Sequence, residues 1–177
     1  MSSPFREEEI DLLMRRWAQA KAGDGCVVLI SGEPGIGKSR ITEAIQERLS
    51  AEPHTRLRFF CSPYHQDSAL YPPIAQLERA AGFRRDDTGE QRLEKLEAVL
   101  LQATNDISEI APLLADLLSI PTGSRYPAID LTPQKRKEKT LAALVAQAEG
   151  LSSREPVLMV LCPLERPNNA GVAGSTN

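Results

Sequence analysis

No apolar run in this chain approaches the roughly 20 residues that cross a bilayer. The opening Met1-Ser2-Ser3-Pro4-Phe5-Arg6-Glu7-Glu8-Glu9 also has neither the basic nor the apolar region of a signal peptide. A membrane protein is therefore not expected, and a cytoplasmic location is. Excess positive charge is missing too: 21 Lys and Arg against 24 Asp and Glu leave a net charge of −3, with a pI near 5.5. That balance argues against a dominant nucleic-acid-binding surface, although a local basic patch is compatible with it. Cysteine is scarce and unevenly spaced, at Cys26, Cys61 and Cys162, in or beside predicted strands where a reduced thiol behaves as a small apolar residue. Neither a disulfide framework nor a zinc site is suggested. The two histidines, His54 and His65, have no His, Cys or carboxylate at ligand spacing, which favours loop roles over metal binding. What remains is an ordinary soluble composition, 41% hydrophobic and 25% charged over 177 residues, enough for one core and small for two.

The most informative stretch is Val27-Val28-Leu29-Ile30-Ser31 followed by Gly32-Glu33-Pro34-Gly35-Ile36-Gly37-Lys38-Ser39-Arg40. It reads as a strand feeding a G-x-x-x-x-G-K-[ST] phosphate loop. Glycines let main-chain N–H groups approach phosphate oxygens without a Cβ in the way, forming an anion-binding concavity. Lys38 brings a compact positive charge for the β- and γ-phosphates, and the Ser39 hydroxyl is placed to ligate Mg²⁺. The helix behind adds unpaired N–H groups and a favourable dipole. Context supports the motif. Residues 26–30 are a continuous, β-branched apolar run, as in a central parallel strand buried on both faces. Ile41, Ala44, Ile45 and Leu49 then recur at helical spacing, with Pro53 as a stop. A glycine-rich turn without a ligand has no use for this lysine and serine at these offsets.

Around this unit the pattern is helical, with two further strands. Ile10, Leu13, Met14 and Trp17 mark a helix from about residue 6 to 22, opened by Glu7, Glu8 and Glu9. Residues 55–61 read as a second strand. A helix near residues 73–81 closes at Gly82. Another starts at Thr88-Gly89-Glu90-Gln91, which has capping-box spacing, and buries Leu93, Leu96, Val99 and Leu100. Its charges Arg92, Glu94, Lys95 and Glu97 suit a solvated face. A shorter helix begins near Pro112, residues 121–130 read as a surface loop, and Thr132-Pro133 opens a long helix. Leu141, Leu144, Val145, Ala148 and Leu151 are expected to form its stripe. Lys135, Arg136, Lys137 and Lys139 oppose that helix's dipole; a solvated basic face is favoured there over an anion or partner contact. Tyr64 and Tyr71 suit covering a core edge better than stacking on a base. Residues 157–161 read as another buried strand, and residues 162–177 as a disordered tail.

The chain resembles the AAA-like P-loop ATPase domain, often called a predicted or origin-recognition-like ATPase, of bacterial signalling proteins that carry class III adenylate/guanylate cyclase and tetratricopeptide repeat regions. The resemblance rests on Arg6-Glu7-Glu8-Glu9, the phosphate loop with Arg40, the Cys61-Ser62-Pro63-Tyr64 to Tyr71-Pro72 segment, and Leu131-Thr132-Pro133-Gln134-Lys135-Arg136-Lys137. It implies an α/β fold: a partial P-loop NTPase with a parallel sheet flanked by helices, the C-terminal strands and lid missing. Residues 1–161 would be the N-terminal part of the domain and 162–177 a tail outside the family. ATP and Mg²⁺ would be the ligands at residues 32–40, Arg6 would lie near the adenine, and a cyclase domain or other protein would be the partner.

Two positions depart from the family pattern. No glycine stands between Phe5 and Arg6. Cys162, Pro163 and Leu164 occupy the place of the acids expected after the third strand, where Glu165 is the nearest acid. Asp116 lies in a helical pattern, and Asp130 follows only Ala128-Ile129, so neither ends a buried strand as a Walker B acid does. The expectation is an ATP-binding module with impaired hydrolysis, whose reading frame ends or changes shortly after Val160. The alternatives are an active hydrolase with a displaced or partner-supplied acid, and a non-enzymatic interaction fragment.

Overall fold

A computed structural model describes residues 5–61 and 69–163. Tyr64, His65, Glu165 and, of the tail expected over 162–177, residues 164–177 lie outside the described residues, as does the Arg6 side chain, whereas Cys162 and Pro163 end a strand.

The acidic start and apolar stripe of the first segment form α1 (Phe5–Lys21), which docks against α2 (Lys38–Leu49). Trp17 is buried there with Ile45 and Leu49, and Leu13, Met14 and Leu158 pack around them. A polar clasp seals this contact. Trp17 Nε1 and Lys21 Nζ both donate to Glu52 Oε2, at 3.1 and 2.6 Å, and the His54 ring meets Trp17 edge-on at 5.7 Å. The Lys21 ammonium, then the indole N–H, hold the Glu52 carboxyl below the usual carboxylate range.

Two of the three expected strands form, but the one expected to be buried at residues 157–161 leaves Met159 46% and Leu161 67% exposed. β1 (Thr55–Cys61) and β2 (Val157–Pro163) pair in parallel, with Thr55 opposite Val157 and Cys61 opposite Pro163. The third expectation is corrected: residues 26–30 run without a ladder partner, and Val27 and Leu29 are 98% and 87% exposed. An apolar β-branched run becomes a buried strand only where partners flank both its edges. The described sheet has just two strands, β1 and β2, and neither pairs with this run.

The crossover between β1 and β2 carries a helical lobe: α3 (Tyr71–Ala81), α4 (Gly89–Leu100), α5 (Ile110–Leu117) and α6 (Pro133–Ser152). Local chemistry sets most of its boundaries. Gly82 ends α3 in the left-handed conformation at φ 62°. Thr88 and Gln91 form the expected capping box, Gln91 N donating to Thr88 Oγ1 at 3.2 Å and Thr88 N to Gln91 Oε1 at 2.9 Å. Thr132 caps α6 ahead of Pro133. The core is leucine-rich: Leu96, Leu100 and Leu114 are fully buried, and α5 buries every residue from Ala111 to Ala115.

The α4 charges are not simply a solvated face. Lys95 bonds Asp87 at 2.6 Å, and the Arg92 guanidinium sits over Phe83 at 4.7 Å. The Arg84 backbone N–H, then Lys95, hold the Asp87 carboxyl below its ordinary range. Arg125 lies within 4 Å of Glu90, Glu94 and Glu97, and Tyr126 donates to Glu97 at 2.8 Å. The expected surface loop is thereby pinned to α4.

Burial first, then Glu97, pushes the Tyr126 phenol up to about 12. The folded state thus favours the neutral phenol. Its stabilising contribution is complete below the unfolded value near 10 and is lost as pH rises through about 12. Denaturant midpoints taken from pH 9 to 12 are expected to fall more steeply in the parent than in Tyr126→Phe; parallel curves would contradict this.

The stripe expected on α6 is met at Leu151, which is buried, and at Leu144, which packs against the core, but the inward face as a whole is rotated. Thr140, Ala143, Gln147 and Leu151 face inward, while Leu141 and Val145 are 42% and 55% exposed. Gly150 explains the rotation: a Cβ there would lie 2.4 Å from the Ala103 carbonyl oxygen. Close approach to the end of α4 turns the small residues Ala143 and Gly150 inward, leaving Leu141 and Val145 about 160° away around the helix. Gly150→Ala is therefore expected to destabilise by about 1–3 kcal/mol through overpacking. At an unconstrained helix position the same change would stabilise by roughly 0.5–1 kcal/mol. Urea unfolding distinguishes the two signs.

Candidate functional site

The described part of the site is the turn between the extended run and α2. Pro34 and Gly35 occupy the turn, which Ile36 N closes by donating to the Glu33 carbonyl at 3.3 Å. Gly35 and Gly37 have φ of 81° and 102°, in the region that favours glycine. Gly37 is also the N-cap of α2, where no side chain caps the helix and no acid stands in the first turn. The free amides and the positive end of the helix dipole are thus left facing the loop.

Lys38, the first helical residue, reaches back across the turn. Its ammonium donates to the Gly32 and Glu33 carbonyls at 3.0 and 2.9 Å, which leaves the third of its N–H donors uncommitted by these bonds. This holds a positive charge against the turn. Ser39 and Arg40 follow on the first turn, both exposed, as are Glu33, Pro34 and Ile36. Gly32 is tightly set: an added Cβ would lie 3.1 Å from Ile36 Cγ2. Thr42, which the motif did not single out, donates to the Lys38 carbonyl at 3.2 Å, the ordinary back-bond of a helical threonine. Ile45 and Leu49 fix the far end of α2 against α1.

This donor set fits a polyphosphate. Uncapped amides, an ammonium and glycines at the positions of closest approach complement several negative charges, and Ser39 supplies a hydroxyl for a metal carried with them. Mg²⁺ in such sites takes few protein ligands, the phosphates and water providing the rest.

The carboxylates singled out from sequence do not converge here. Asp116 lies on α5 and pairs with Arg136 at 3.2 Å, and Asp130 is exposed in the loop before α6. β2 ends at Cys162 and Pro163. Among the described residues, no group of three or more His, Cys, Asp or Glu is placed to hold a metal. Of the basic residues opening α6, Arg136 is committed to Asp116, while Lys135, Lys137 and Lys139 are exposed. Tyr71 opens α3, and the three cysteines are free thiols.

Residues 3–171 match the family model of the AAA ATPase domain, so the chain belongs to that family. Membership suggests nucleotide binding. Among curated proteins the chain is similar to an uncharacterized protein of Rhizobium meliloti (strain 1021), 29% identical over 158 residues. The match covers 88% of this chain and 15% of the relative, so the chain spans a small part of that protein's length. No solved structure matches. Among the described residues, no helix is long and apolar enough to cross a membrane.

Proposed function

We propose that this chain binds ATP with Mg²⁺ through Gly32, Glu33, Pro34, Gly35, Ile36, Gly37, Lys38, Ser39 and Arg40, and that it hydrolyses the nucleotide slowly or not at all. The observation that carries the binding half is the uncapped start of α2 behind left-handed Gly37, with the Lys38 ammonium held across the turn. The loop amides would cradle phosphate oxygens, Lys38 would neutralise charge on the outer phosphates, and Ser39 would ligate the metal. Mg²⁺, held by Ser39 when bound, would offset part of the phosphates' negative charge.

The hydrolysis half rests on the far end of β2. Phosphoryl transfer is mostly positioning and electrostatic stabilisation, and Cys162-Pro163 offers no carboxylate to orient water or metal. A cradle of this kind holds nucleotide without activating the attack. The test measures Mg-ATP binding by titration calorimetry and phosphate release in the same preparation. Saturable binding is expected, with release no faster than in Lys38→Ala. Release clearly above that variant would overturn the slow-turnover reading in favour of a displaced acid such as Glu165; absence of binding would overturn both halves.

The resemblance at residues 131–137 and at Tyr71-Pro72 supports a signalling context, with a class III cyclase domain as partner. Co-purification with such a domain from the same genome is the expected result, and its failure at micromolar concentrations would count against that role.

A further inference from the structure

The sheet has two outer edges, and only that of β1 is protected. Thr55 N donates to the Pro156 carbonyl at 3.0 Å, and Thr55 stands opposite Val157. In a parallel ladder alternate residues bond across the pair. The main-chain groups of Arg56, Arg58 and Phe60 on β1, and of Val157, Met159 and Leu161 on β2, therefore point outward. On β1, Arg79 donates to the Arg58 carbonyl at 2.6 Å, and Arg56 and Arg58 charge the strand. Covering and charge both keep an edge from meeting another strand. β2 has neither: residues 157–163 are uncharged, and among the described residues nothing hydrogen-bonds its outer side. Met159 and Leu161 also hold apolar side chains exposed.

A second copy of the same edge has the matching chemistry. Around a two-fold axis a strand meets itself in antiparallel order, so a charge near the axis lies close to its own copy and is repelled. β2 carries no such charge, whereas the same arrangement of β1 would bring its arginines together. An axis through Val160 sets Met159 of one copy opposite Leu161 of the other. Both residues turn their main-chain groups outward, so each pair exchanges N–H···O=C bonds, and the two exposed apolar side chains lie side by side. Two strands from each copy then make one sheet of four, whereas a two-stranded sheet alone is marginal.

We propose that this chain forms a two-fold dimer in which the β2 strands of two copies pair antiparallel through their outer edges. The contact uses none of residues 32–40 and does not rest on nucleotide binding.

Sedimentation of the 177-residue chain from about 5 to 500 µM, a span suited to a small and weak interface, tests the proposal. Monomer and dimer in equilibrium are expected, with nothing larger, since an isologous contact closes on itself. Met159→Glu with Leu161→Glu, and Met159→Lys with Leu161→Lys, each place like charges opposite one another and should be monomeric across that range. Mixed in equal amounts, the two variants should form the dimer again. Both positions are exposed, so the fold should tolerate the changes. In the parent, amide exchange over residues 157–163 should slow as concentration rises, while that of α4 does not change. A parent that stays monomeric, growth to larger species, a dimer that survives either double substitution, or variants that do not recombine would overturn the proposal. Should the variants fail to fold, the parent still decides: exchange in β2 indifferent to concentration is equally fatal. Protection of residues 157–163 together with 26–30 in a monomer would also defeat it, by giving the edge to the chain's own unpaired run.

Discussion

Lys38→Ala is expected to weaken Mg-ATP binding by about ten- to a hundredfold. A hydrogen bond to a charged group is worth roughly 1.5–3 kcal/mol, and every 1.4 kcal/mol is about a factor of ten in affinity. The substitution removes the cation held across the turn and its bonds to the Gly32 and Glu33 carbonyls. Those bonds lie at the surface, so the unliganded fold should lose little. That separation makes the variant informative, because affinity should collapse while the denaturant midpoint without nucleotide barely moves. Lys38→Arg is not expected to rescue binding fully, since a planar guanidinium cannot reproduce a compact ammonium on a flexible stem. Calorimetric titration of the three proteins checks this; equal affinities would mean that nucleotide, if bound, is held elsewhere.

Leu96→Ala is expected to cost about 2–5 kcal/mol, the range for deleting a buried leucine and leaving a cavity. Leu96 is fully buried in the cluster that joins α3, α4, α5 and α6. Against a total stability of typically 5–15 kcal/mol, that loss puts much of the molecule near its unfolding threshold. Leu101→Ala, one turn-end further along and 46% exposed, should change stability by no more than about 0.5 kcal/mol. The pair tests the packing directly in urea. Similar costs at both positions would contradict the burial pattern. The loop is anchored through the separate α1 and α2 cluster of Trp17, Ile45 and Leu49, so the folded fraction of Leu96→Ala should keep its nucleotide affinity.

Features written in local chemistry were the legible ones. The capping box at Thr88, the cap at Thr132 and the glycine stop at Gly82 each need only a few neighbouring residues, and each forms where the sequence places it. The apolar runs at β1 and β2 were readable as strands, and the register between them adds what periodicity cannot give. Residues 26–30 misled because burial of such a run is a statement about neighbours. The inward face of α6 was read only in part, at Leu144 and Leu151, for a related reason. Counting large apolar residues favours Leu141 and Val145, but the approach of the Gly150 backbone to Ala103 decides which side turns in. A glycine inside a helical pattern was the available signal. In the candidate site the motif supplied the residues, while the bonds of Lys38 to the turn carbonyls depend on three-dimensional arrangement and had no signature along the chain.

The central claim, that the turn before α2 is a working nucleotide site, is met most directly by thermal unfolding with and without Mg-ATP. Ligand at about a hundred times its Kd should stabilise the fold by roughly 2.7 kcal/mol. A cooperative transition raised by Mg-ATP in the parent and raised much less in Lys38→Ala, by about 0.4–1.4 kcal/mol for a ten- to hundredfold loss of affinity, is the expected result. A transition that Mg-ATP does not shift in the parent, or shifts equally in both proteins, would contradict it.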